Sequence, residues 1–261
     1  MIEIRFDRFS DGLLELLEEK GIMLIEDDFD KKVMYSIYCE EEDKDLIMNF
    51  IDSPMVKVVE ETGWEEKWKE FLRPGNLTDR IKYIFDSKDF VRGETILINP
   101  ALAFGTGNHP TTQLAATLLE EVCFGKKVLD VGCGSGILSI AAKLSGASSV
   151  YGFDNDSTAI KNTKENLVLN NSEDIIIWAG GVESLKSLVK FDVLVANIIS
   201  SVLIQLKDFF LGIDPQYFIF SGILKDEMDY FLKTFDNEMF LLDRYIEKDN
   251  WVGIRYRRKD D

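Results

Sequence analysis

Runs of apolar residues in the second half of the chain predict a parallel β-sheet flanked by helices. From residue 126 onward, near-continuously apolar runs such as KKVLDV, SVYGFD and FDVLVAN alternate with stretches of helical spacing. Strands that are apolar on both faces are typical of parallel sheets covered by helices on either side, so the pattern indicates an α/β fold. Residues 239–258 differ, because two strand-like runs joined across EKDN predict an antiparallel hairpin.

Residues 1–60 predict a smaller unit with the order β-α-β-β-α-β. The strands are expected at IEIRF, IMLIE, VMYSIYC and MVKVVE, with two helically spaced stretches between them. This order suits a ferredoxin-like α+β layer, a fold that hosts many functions and therefore indicates none by itself.

A helix is predicted over residues 61–75, between the two patterns. Trp64, Trp68 and Phe71 recur at helical spacing and share one face. We interpret this aromatic face as packing against a neighbouring domain, although the same spacing also suits a patch that grips a substrate. The predicted organisation is a domain over 1–60, a linker helix over 61–75 and a larger domain over 76–261.

The charge of the chain narrows the classes of partner. With 47 acidic residues against 30 basic ones, the formal net charge is −17. Phosphate backbones and anionic lipid surfaces attract basic proteins, so this balance argues against a nucleic-acid partner and against a membrane partner. A basic protein or an exposed amine suits it better, although acidity also serves solubility alone and does not by itself indicate a function.

Cysteine and histidine usage argues against a disulfide framework and against a metal centre. The three cysteines, Cys39, Cys123 and Cys133, are not spaced as metal or redox pairs, and one histidine, His109, cannot supply a histidine-rich site. The N-terminal residues lack a basic stretch followed by an apolar core, and no run is apolar enough for a membrane span. We therefore expect a cytoplasmic protein without a metal.

Three glycines between a strand and a helix indicate a nucleotide-binding turn. Gly132, Gly134 and Gly136 follow the apolar strand VLDV in the pattern G-x-G-x-G, and glycine lets the backbone turn sharply and approach a ligand closely. Asp154 ends the next predicted strand, where its carboxylate can accept hydrogen bonds from both ribose hydroxyls of an adenosine. The alternative is a glycine turn beside a solvated aspartate, which the strand context makes the weaker interpretation.

The spacing of these glycines bears on the cofactor. A dinucleotide fingerprint has the form G-x-G-x-x-G and holds a pyrophosphate at a helix N-terminus, whereas the third glycine here comes one residue earlier. The shorter form is commoner in enzymes that use S-adenosylmethionine, whose nucleoside carries an amino-acid tail in place of a phosphate. We therefore predict S-adenosylmethionine and methyl transfer, with NAD as the alternative cofactor.

Asn197 is the polar residue that ends the apolar strand VLVA. Open α/β sheets bind ligands at the carboxyl ends of their strands, and an amide placed there can both donate and accept hydrogen bonds. The side chain is suited to positioning a cofactor amine or an incoming nucleophile, and equally to capping the following helix, so the residues alone leave both roles open.

Five motifs in this order resemble the PrmA family, the bacterial methyltransferases of ribosomal protein L11. They are ALAFGTGNHPTT, VLDVGCGSGILSIAA, GFDNDSTAI, VANI and SGIL, of which the first is the most specific. The resemblance covers roughly residues 60–225, and before them it is confined to size and architecture. It implies a seven-stranded Rossmann-like methyltransferase domain that ends in an antiparallel hairpin, preceded by a small N-terminal α+β ferredoxin-like domain.

The resemblance also implies roles for individual residues. A loop over the methionine end of the cofactor would contain Phe104, Gly105 and Thr106. The other implied cofactor-binding residues are Thr112, Gly132, Gly134, Asp154 and Asn197. Asn197 is also the one candidate catalytic residue, and we expect it, with backbone carbonyl groups near it, to orient the amine that receives the methyl group.

The stretch NHPTTQ predicts the start of a helix beside that loop. Pro110 suits a first helical turn, and the positive end of the helix would attract the cofactor's carboxylate, with Thr111 or Thr112 adding a hydroxyl. We interpret His109 as a capping or hydrogen-bonding residue rather than a catalytic one.

These observations and the resemblance together predict an S-adenosylmethionine-dependent protein N-methyltransferase. The resemblance implies methylation of lysine side chains and of the N-terminal amine of a ribosomal protein of the large subunit, recognised by the domain over 1–60. The alternatives are a methyltransferase of another protein or of a small amine, an NAD-dependent oxidoreductase, and a non-catalytic ribosome-binding module.

Overall fold

The computed structural model describes residues 2–10, 12–20, 22, 24–29, 32–39, 41–58, 73–99, 105–185, 190–236 and 238–259. These residues divide into two units, one within residues 1–72 and the other within 73–261. Residues 61–72 of the predicted linker helix lie outside the described residues, and so do its three aromatic side chains, Trp64, Trp68 and Phe71.

The smaller unit is an antiparallel sheet of four strands with two helices. Its elements are β1 (Ile2–Phe6), α1 (Leu13–Lys20), β2 (Leu24–Phe29), β3 (Lys32–Cys39), α2 (Glu41–Met48) and β4 (Met55–Val58). The strands pair in the order β2-β3-β1-β4, which confirms the predicted ferredoxin-like arrangement. Ile4, Phe6, Leu13, Ile37 and Ile47 are buried in one core that joins both helices to the sheet.

Strand β2 corrects a predicted boundary. The pattern predicted a strand over IMLIE followed by an acidic turn, but β2 continues through Asp27 and Asp28, which pair with Met34 and Val33. β2 lies at the edge of its sheet, and edge strands commonly carry charged residues that discourage pairing with another chain. The apolar pattern therefore understated the length of this strand.

The larger unit begins with a small three-stranded sheet. Its strands are β5 (Gly75–Asn76), β6 (Lys82–Ile84) and β7 (Thr95–Leu97). β6 and β7 lie within the apolar-rich runs RIKYIF and TILINP, and β5 comprises only two residues. Leu77, Ile81 and Ile96 are buried in a core shared with the main sheet, so this small sheet is part of the larger unit.

A seven-stranded sheet forms the centre of the larger unit. Its strands are β8 (Lys127–Val131), β9 (Ser149–Asp154), β10 (Ile176–Ala179), β11 (Val193–Asn197), β12 (Tyr217–Leu224), β13 (Phe240–Lys248) and β14 (Trp251–Arg258). They lie in the order β10-β9-β8-β11-β12-β14-β13. Strands β8 to β12 pair in parallel, and the hairpin β13–β14 pairs antiparallel to β12, so both predicted features are confirmed.

Helices cover both faces of this sheet. They are α3 (Pro110–Glu120), α4 (Ile137–Leu144), α5 (Ser157–Leu169), α6 (Ser200–Gln205), α7 (Lys207–Ile213) and α8 (Met228–Phe235). Along β11, Val193 and Val195 belong to one core and Leu194 and Ala196 to another, so the two cores lie on opposite faces. None of the helices in the described part of the chain is long and apolar enough to cross a membrane.

Two helical features are not evident from the sequence pattern. The stretch from residue 200 forms two consecutive helices, α6 and α7, divided at Leu206. The sequence pattern did not predict α8, although Phe231 and Phe235 are spaced four residues apart and are both buried. Their rings stack with centroids 4.6 Å apart and pack beside Phe220 of β12.

The strand order reverses beside β8, and this places the site. The chain runs outward from β8 through β9 to β10 and then returns to β11 on the other side of β8. Open α/β sheets bind ligands at the carboxyl ends of the strands where this reversal occurs. The glycines of residues 132–136 follow β8, and Asn197 ends β11, so both lie at the reversal.

Candidate active site

A cleft of about 400 Å³ opens at the reversal of strand order. Six of the eight residues implied to bind the cofactor line it, namely Gly105, Thr112, Gly132, Gly134, Asp154 and Asn197. Thr106 is described but is not among the lining residues, and Phe104 lies outside the described residues. The fold therefore brings together residues that are up to 92 positions apart, from Gly105 to Asn197.

The glycine turn, residues 132–136, is bent tightly over the end of β8. The backbone N–H groups of Gly132 and Cys133 both donate to the carbonyl oxygen of Phe153, at 2.9 and 3.0 Å. Gly132 has φ of +71°, and a Cβ there would lie 2.7 Å from Cγ2 of Ile198. A side chain here would be strained by the positive φ and would collide with Ile198, so glycine suits this position.

Asp154 is oriented by the backbone on both sides of it. One carboxylate oxygen, Oδ2, accepts from the N–H of Gly134 at 2.9 Å, and Oδ1 accepts from the N–H of Asp156 at 3.0 Å. Each carboxylate oxygen can accept a further hydrogen bond, so the group still has acceptor capacity toward the cleft. The turn thus orients the carboxylate and leaves both of its oxygens able to accept further hydrogen bonds.

Residues 105–109, here called the covering loop, are held by three different elements. The hydroxyl of Ser135 in the glycine turn donates to the carbonyl oxygen of Gly105 at 2.6 Å. Nε2 of Gln113 in α3 donates to the carbonyl oxygen of Gly107 at 3.0 Å. The hydroxyl of Tyr83 in β6 donates to Oδ1 of Asn108 at 3.3 Å. The two glycine-containing segments of the sequence are therefore joined directly.

His109 caps α3, as the sequence predicted. It is the N-cap residue before Pro110, and its Nδ1 lies 3.4 Å from the backbone N of Thr111 and 2.7 Å from the Thr111 hydroxyl. Burial lowers the pKa of His109, which favours the neutral ring whose Nδ1 can accept these bonds. The ring also meets Trp251 edge to face, with centroids 5.1 Å apart, so the two rings form one wall of the cleft.

The amide nitrogen of Asn197 is hydrogen-bonded, whereas its amide oxygen lacks a partner among the described residues. Nδ2 donates to the hydroxyl of Thr112 at 3.2 Å. Oδ1 is buried and has no hydrogen-bond partner within the described part of the chain. The N-cap of α6 is Ile199 and has no side-chain bond, so the helix-capping interpretation of Asn197 was wrong. A buried amide acceptor without a partner is costly unless a ligand uses it.

Asp130, which the sequence pattern did not predict as a site residue, is a buried acid in the strand that precedes the glycine turn. It is fully buried in β8, and its Oδ2 accepts from the hydroxyl of Ser139 at 2.6 Å. Its Oδ1 has no partner among the described residues. Burial, which outweighs the Ser139 hydrogen bond, raises the pKa of Asp130 to about 7. The available signal was an acid inside the otherwise apolar strand VLDV.

We expect Asp130 to make stability fall as pH rises from about 4 to about 7. Its folded pKa of about 7 exceeds the ordinary value of 3.8. In this window the folded protein keeps a proton that the unfolded chain releases, so deprotonation opposes folding by up to ~1.4 kcal/mol per pH unit. Urea unfolding at several pH values measures this slope in the wild type and in Asp130→Asn, which cannot titrate. Equal slopes in both proteins would contradict the assignment.

Comparison with known proteins identifies the family. The family model described as ribosomal protein L11 methyltransferase (PrmA) matches residues 16–259. The chain belongs to this family. The resemblance inferred from the sequence motifs is thereby confirmed, and the match extends into the smaller unit, where the motifs gave no residue-level signal.

Individual relatives agree with the family assignment. The ribosomal protein L11 methyltransferase of Streptococcus pneumoniae serotype 2 is 35% identical over 227 residues, which are 82% of this chain and 71% of the relative. That of Streptococcus equi subsp. zooepidemicus is 36% identical over 208 residues, 77% of this chain and 65% of the relative. The crystal structure of the ribosomal protein L11 methylase from Lactobacillus delbrueckii subsp. bulgaricus is 32% identical, with a TM-score of 0.65 over 72% of this chain and 100% of that chain.

Proposed function

We propose that this protein transfers methyl groups from S-adenosylmethionine to amino groups of ribosomal protein L11. The amino groups are lysine side chains and the N-terminal amine. The observation that carries the proposal is the buried, unpartnered Oδ1 of Asn197 in a cleft that also contains the glycine turn and the oriented carboxylate of Asp154. Family membership supports the reaction and the substrate.

The residues of the cleft fit the proposed cofactor part by part. The carboxylate of Asp154 is placed to accept from the ribose hydroxyls, and Gly132 lets the turn lie close to Ile198 beside the cleft. The N-terminus of α3, where Thr111 and Thr112 line the cleft, turns the positive end of the helix dipole toward the methionine carboxylate, and the threonines add hydroxyl groups. Gly105, with Phe104 and Thr106, completes the cover in this proposal.

The chain's own residues then prepare the amine. When bound, S-adenosylmethionine supplies a methyl group already activated on a sulfonium, so alignment and exclusion of water are what the protein must add. We assign Asn197, which lines the cleft, to orient the neutral amine; its Oδ1, buried in this structure, must turn toward the cleft to accept an N–H of the amine. Desolvation in the cleft lowers the pKa of a lysine from its usual range near 10.4 and favours this neutral form.

The mouth of the cleft suits an aliphatic stem that carries an amine. Ile199 is 62% exposed, and it lines the cleft together with Ile198 and Trp251. An apolar rim around an amide acceptor matches the methylenes and terminal nitrogen of a lysine side chain. A small hydrophilic amine would leave this rim in water, so the geometry favours a protein substrate.

The charge balance and the smaller unit complete the proposal. A net charge of −17 suits a basic ribosomal protein, and we assign its recognition to residues 1–60, ahead of the linker over 61–75 and the methyltransferase domain over 76–261. A ribosomal protein substrate would place the reaction in the cytoplasm. Neither nucleic acid nor membrane is part of this proposal.

Labelling of ribosomal proteins tests the proposed function. Purified protein is incubated with tritiated S-adenosylmethionine and the proteins of the large ribosomal subunit, and the labelled band is identified by mass spectrometry. We expect label in L11, on lysine side chains and on the N-terminal amine. Label confined to another protein would refute the assignment of L11 as the substrate. No label in any protein, together with fluorescence-detected binding of NADH, would refute the reaction.

A further inference from the structure

Three asparagines on α5 form hydrogen bonds to backbone groups of segments beside the cleft. Asn162, Asn166 and Asn170 recur every fourth residue, so they lie on one side of the helix and its C-terminal end. Asn162 is 4% exposed and Asn166 is fully buried. Burying an amide is costly unless its hydrogen bonds are satisfied, and here each asparagine bonds to backbone outside its own helix.

Asn166 bridges two separate segments. Its Oδ1 accepts from the backbone N–H of Asn99 at 2.7 Å, and its Nδ2 donates to the carbonyl oxygen of Ser135 at 2.9 Å. Asn99 is the last described residue before the covering loop, and Ser135 belongs to the glycine turn. One buried side chain is thus bonded to the segments on which the two cofactor loops are built.

The bridge continues to the covering loop itself. The hydroxyl of Ser135 donates to the carbonyl oxygen of Gly105 at 2.6 Å. Thr163, on the same side of α5, donates to the carbonyl oxygen of Gly134 at 2.5 Å. Helix α5 therefore holds two consecutive carbonyl groups of the glycine turn, and the second of these residues holds the covering loop.

Asn170 provides an internal comparison, because it bonds to the segment that precedes the covering loop but not to the glycine turn. Its Oδ1 accepts from the N–H of Leu97 at 2.9 Å, and its Nδ2 donates to the carbonyl oxygen of Leu97 at 2.7 Å. These bonds fasten the same incoming segment to α5. None of the described bonds of Asn170 reaches the glycine turn.

We propose that Asn166 is a positioning residue for the cofactor, since it ties Asn99 to Ser135 of the glycine turn, and Ser135 in turn holds the covering loop. The inference rests on the proposed function, because S-adenosylmethionine is the ligand assigned to these two segments. Without the Asn166 bonds, the described bonds that still join the two segments are those made by Ser135, Asn162 and Thr163, and binding must then supply part of the cost of ordering them. The amine-orienting residue, Asn197, lies on β11 and does not contact this bridge through any described hydrogen bond.

Calorimetric titration with S-adenosylhomocysteine, which binds without turnover, tests the inference on the full-length chain. The variants are Asn166→Leu and the matched control Asn170→Leu, with thermal unfolding measured alongside. Both variants are expected to unfold at lower temperature. Only Asn166→Leu is expected to weaken binding by about tenfold or more, because only it leaves the Ser135 carbonyl unpaired. Equal weakening in both variants, or wild-type affinity in Asn166→Leu, would overturn the inference.

A second variant keeps the test decisive if Asn166→Leu does not fold. Asn166→Asp preserves the shape and the acceptor for Asn99, but when ionised it replaces the donor to Ser135 with another acceptor. The KM for S-adenosylmethionine is expected to rise about tenfold while kcat at saturating cofactor changes by about twofold or less. A fall in kcat with unchanged KM would overturn the inference and leave the proposed function standing. A wild-type protein that binds no cofactor would refute both.

Discussion

Replacing Asp154 with alanine is expected to weaken the binding of S-adenosylmethionine by about 100-fold or more. The carboxylate is held by the N–H groups of Gly134 and Asp156 at 2.9 and 3.0 Å, so in the proposed complex it would meet the ribose without reorganisation. A hydrogen bond to a charged acceptor contributes about 1.5–3 kcal/mol, and two ribose hydroxyls would lose theirs. Isothermal titration calorimetry of the wild type and the variant measures the difference in dissociation constant.

Asp156→Ala is the matched control for this prediction. Asp156 lies two residues further along and caps α5 by accepting from the N–H of Thr158 at 2.7 Å. It is not among the residues that line the cleft. Losing the cap is expected to lower the free energy of unfolding by about 1 kcal/mol without changing cofactor affinity. Unchanged affinity in Asp154→Ala would refute the ribose assignment, and equal losses in both variants would attribute the effect to the turn.

Replacing Asn197 with leucine is expected to lower kcat for methyl transfer by about 100-fold or more, because an amine without its acceptor is no longer aligned. Leucine has a similar volume but cannot supply the buried, unpartnered oxygen Oδ1. The affinity for S-adenosylhomocysteine is expected to change far less than kcat, since the carboxylate of Asp154 remains in place. Single-turnover kinetics with ribosomal protein L11 separates the methyl-transfer step from binding.

Thr112→Val is the control that separates the two ends of the Asn197 amide. The hydroxyl of Thr112 accepts from Nδ2 of Asn197 at 3.2 Å, and valine keeps the shape while removing this anchor. The acceptor Oδ1 stays present but is less firmly oriented, so kcat is expected to fall by about tenfold, less than in Asn197→Leu. If Asn197→Leu reduced cofactor affinity and left kcat intact, Asn197 would be a cofactor-binding residue and not the group that orients the amine.

The central sheet was predictable because its signals are local. Apolar runs of strand length marked β8, β9 and β11, and the glycine pattern marked the turn after β8 within a few residues. Asp154 and Asn197 could be chosen because each is a polar residue directly at the end of an apolar strand. The rule that ligands bind where the strand order reverses then predicted that these residues lie close together.

The features that the sequence did not predict depend on contacts between distant segments. The extension of β2 through two aspartates depends on pairing with β3, which overrides the low strand preference of the acids. Helix α8 has only eight residues, and its identity follows from burying Phe231 and Phe235 against the sheet. The role of Asn166 follows from partners 67 and 31 positions away, which periodicity within α5 cannot reveal.

A crystal structure of the protein with S-adenosylhomocysteine tests the central claim most directly. The account predicts a single nucleoside in the cleft, with both ribose hydroxyls on the carboxylate of Asp154, the amino-acid tail at the N-terminus of α3, and the sulfur facing Asn197. Density for the ligand at another place, or crystals grown with a saturating concentration whose cleft contains none, would contradict it.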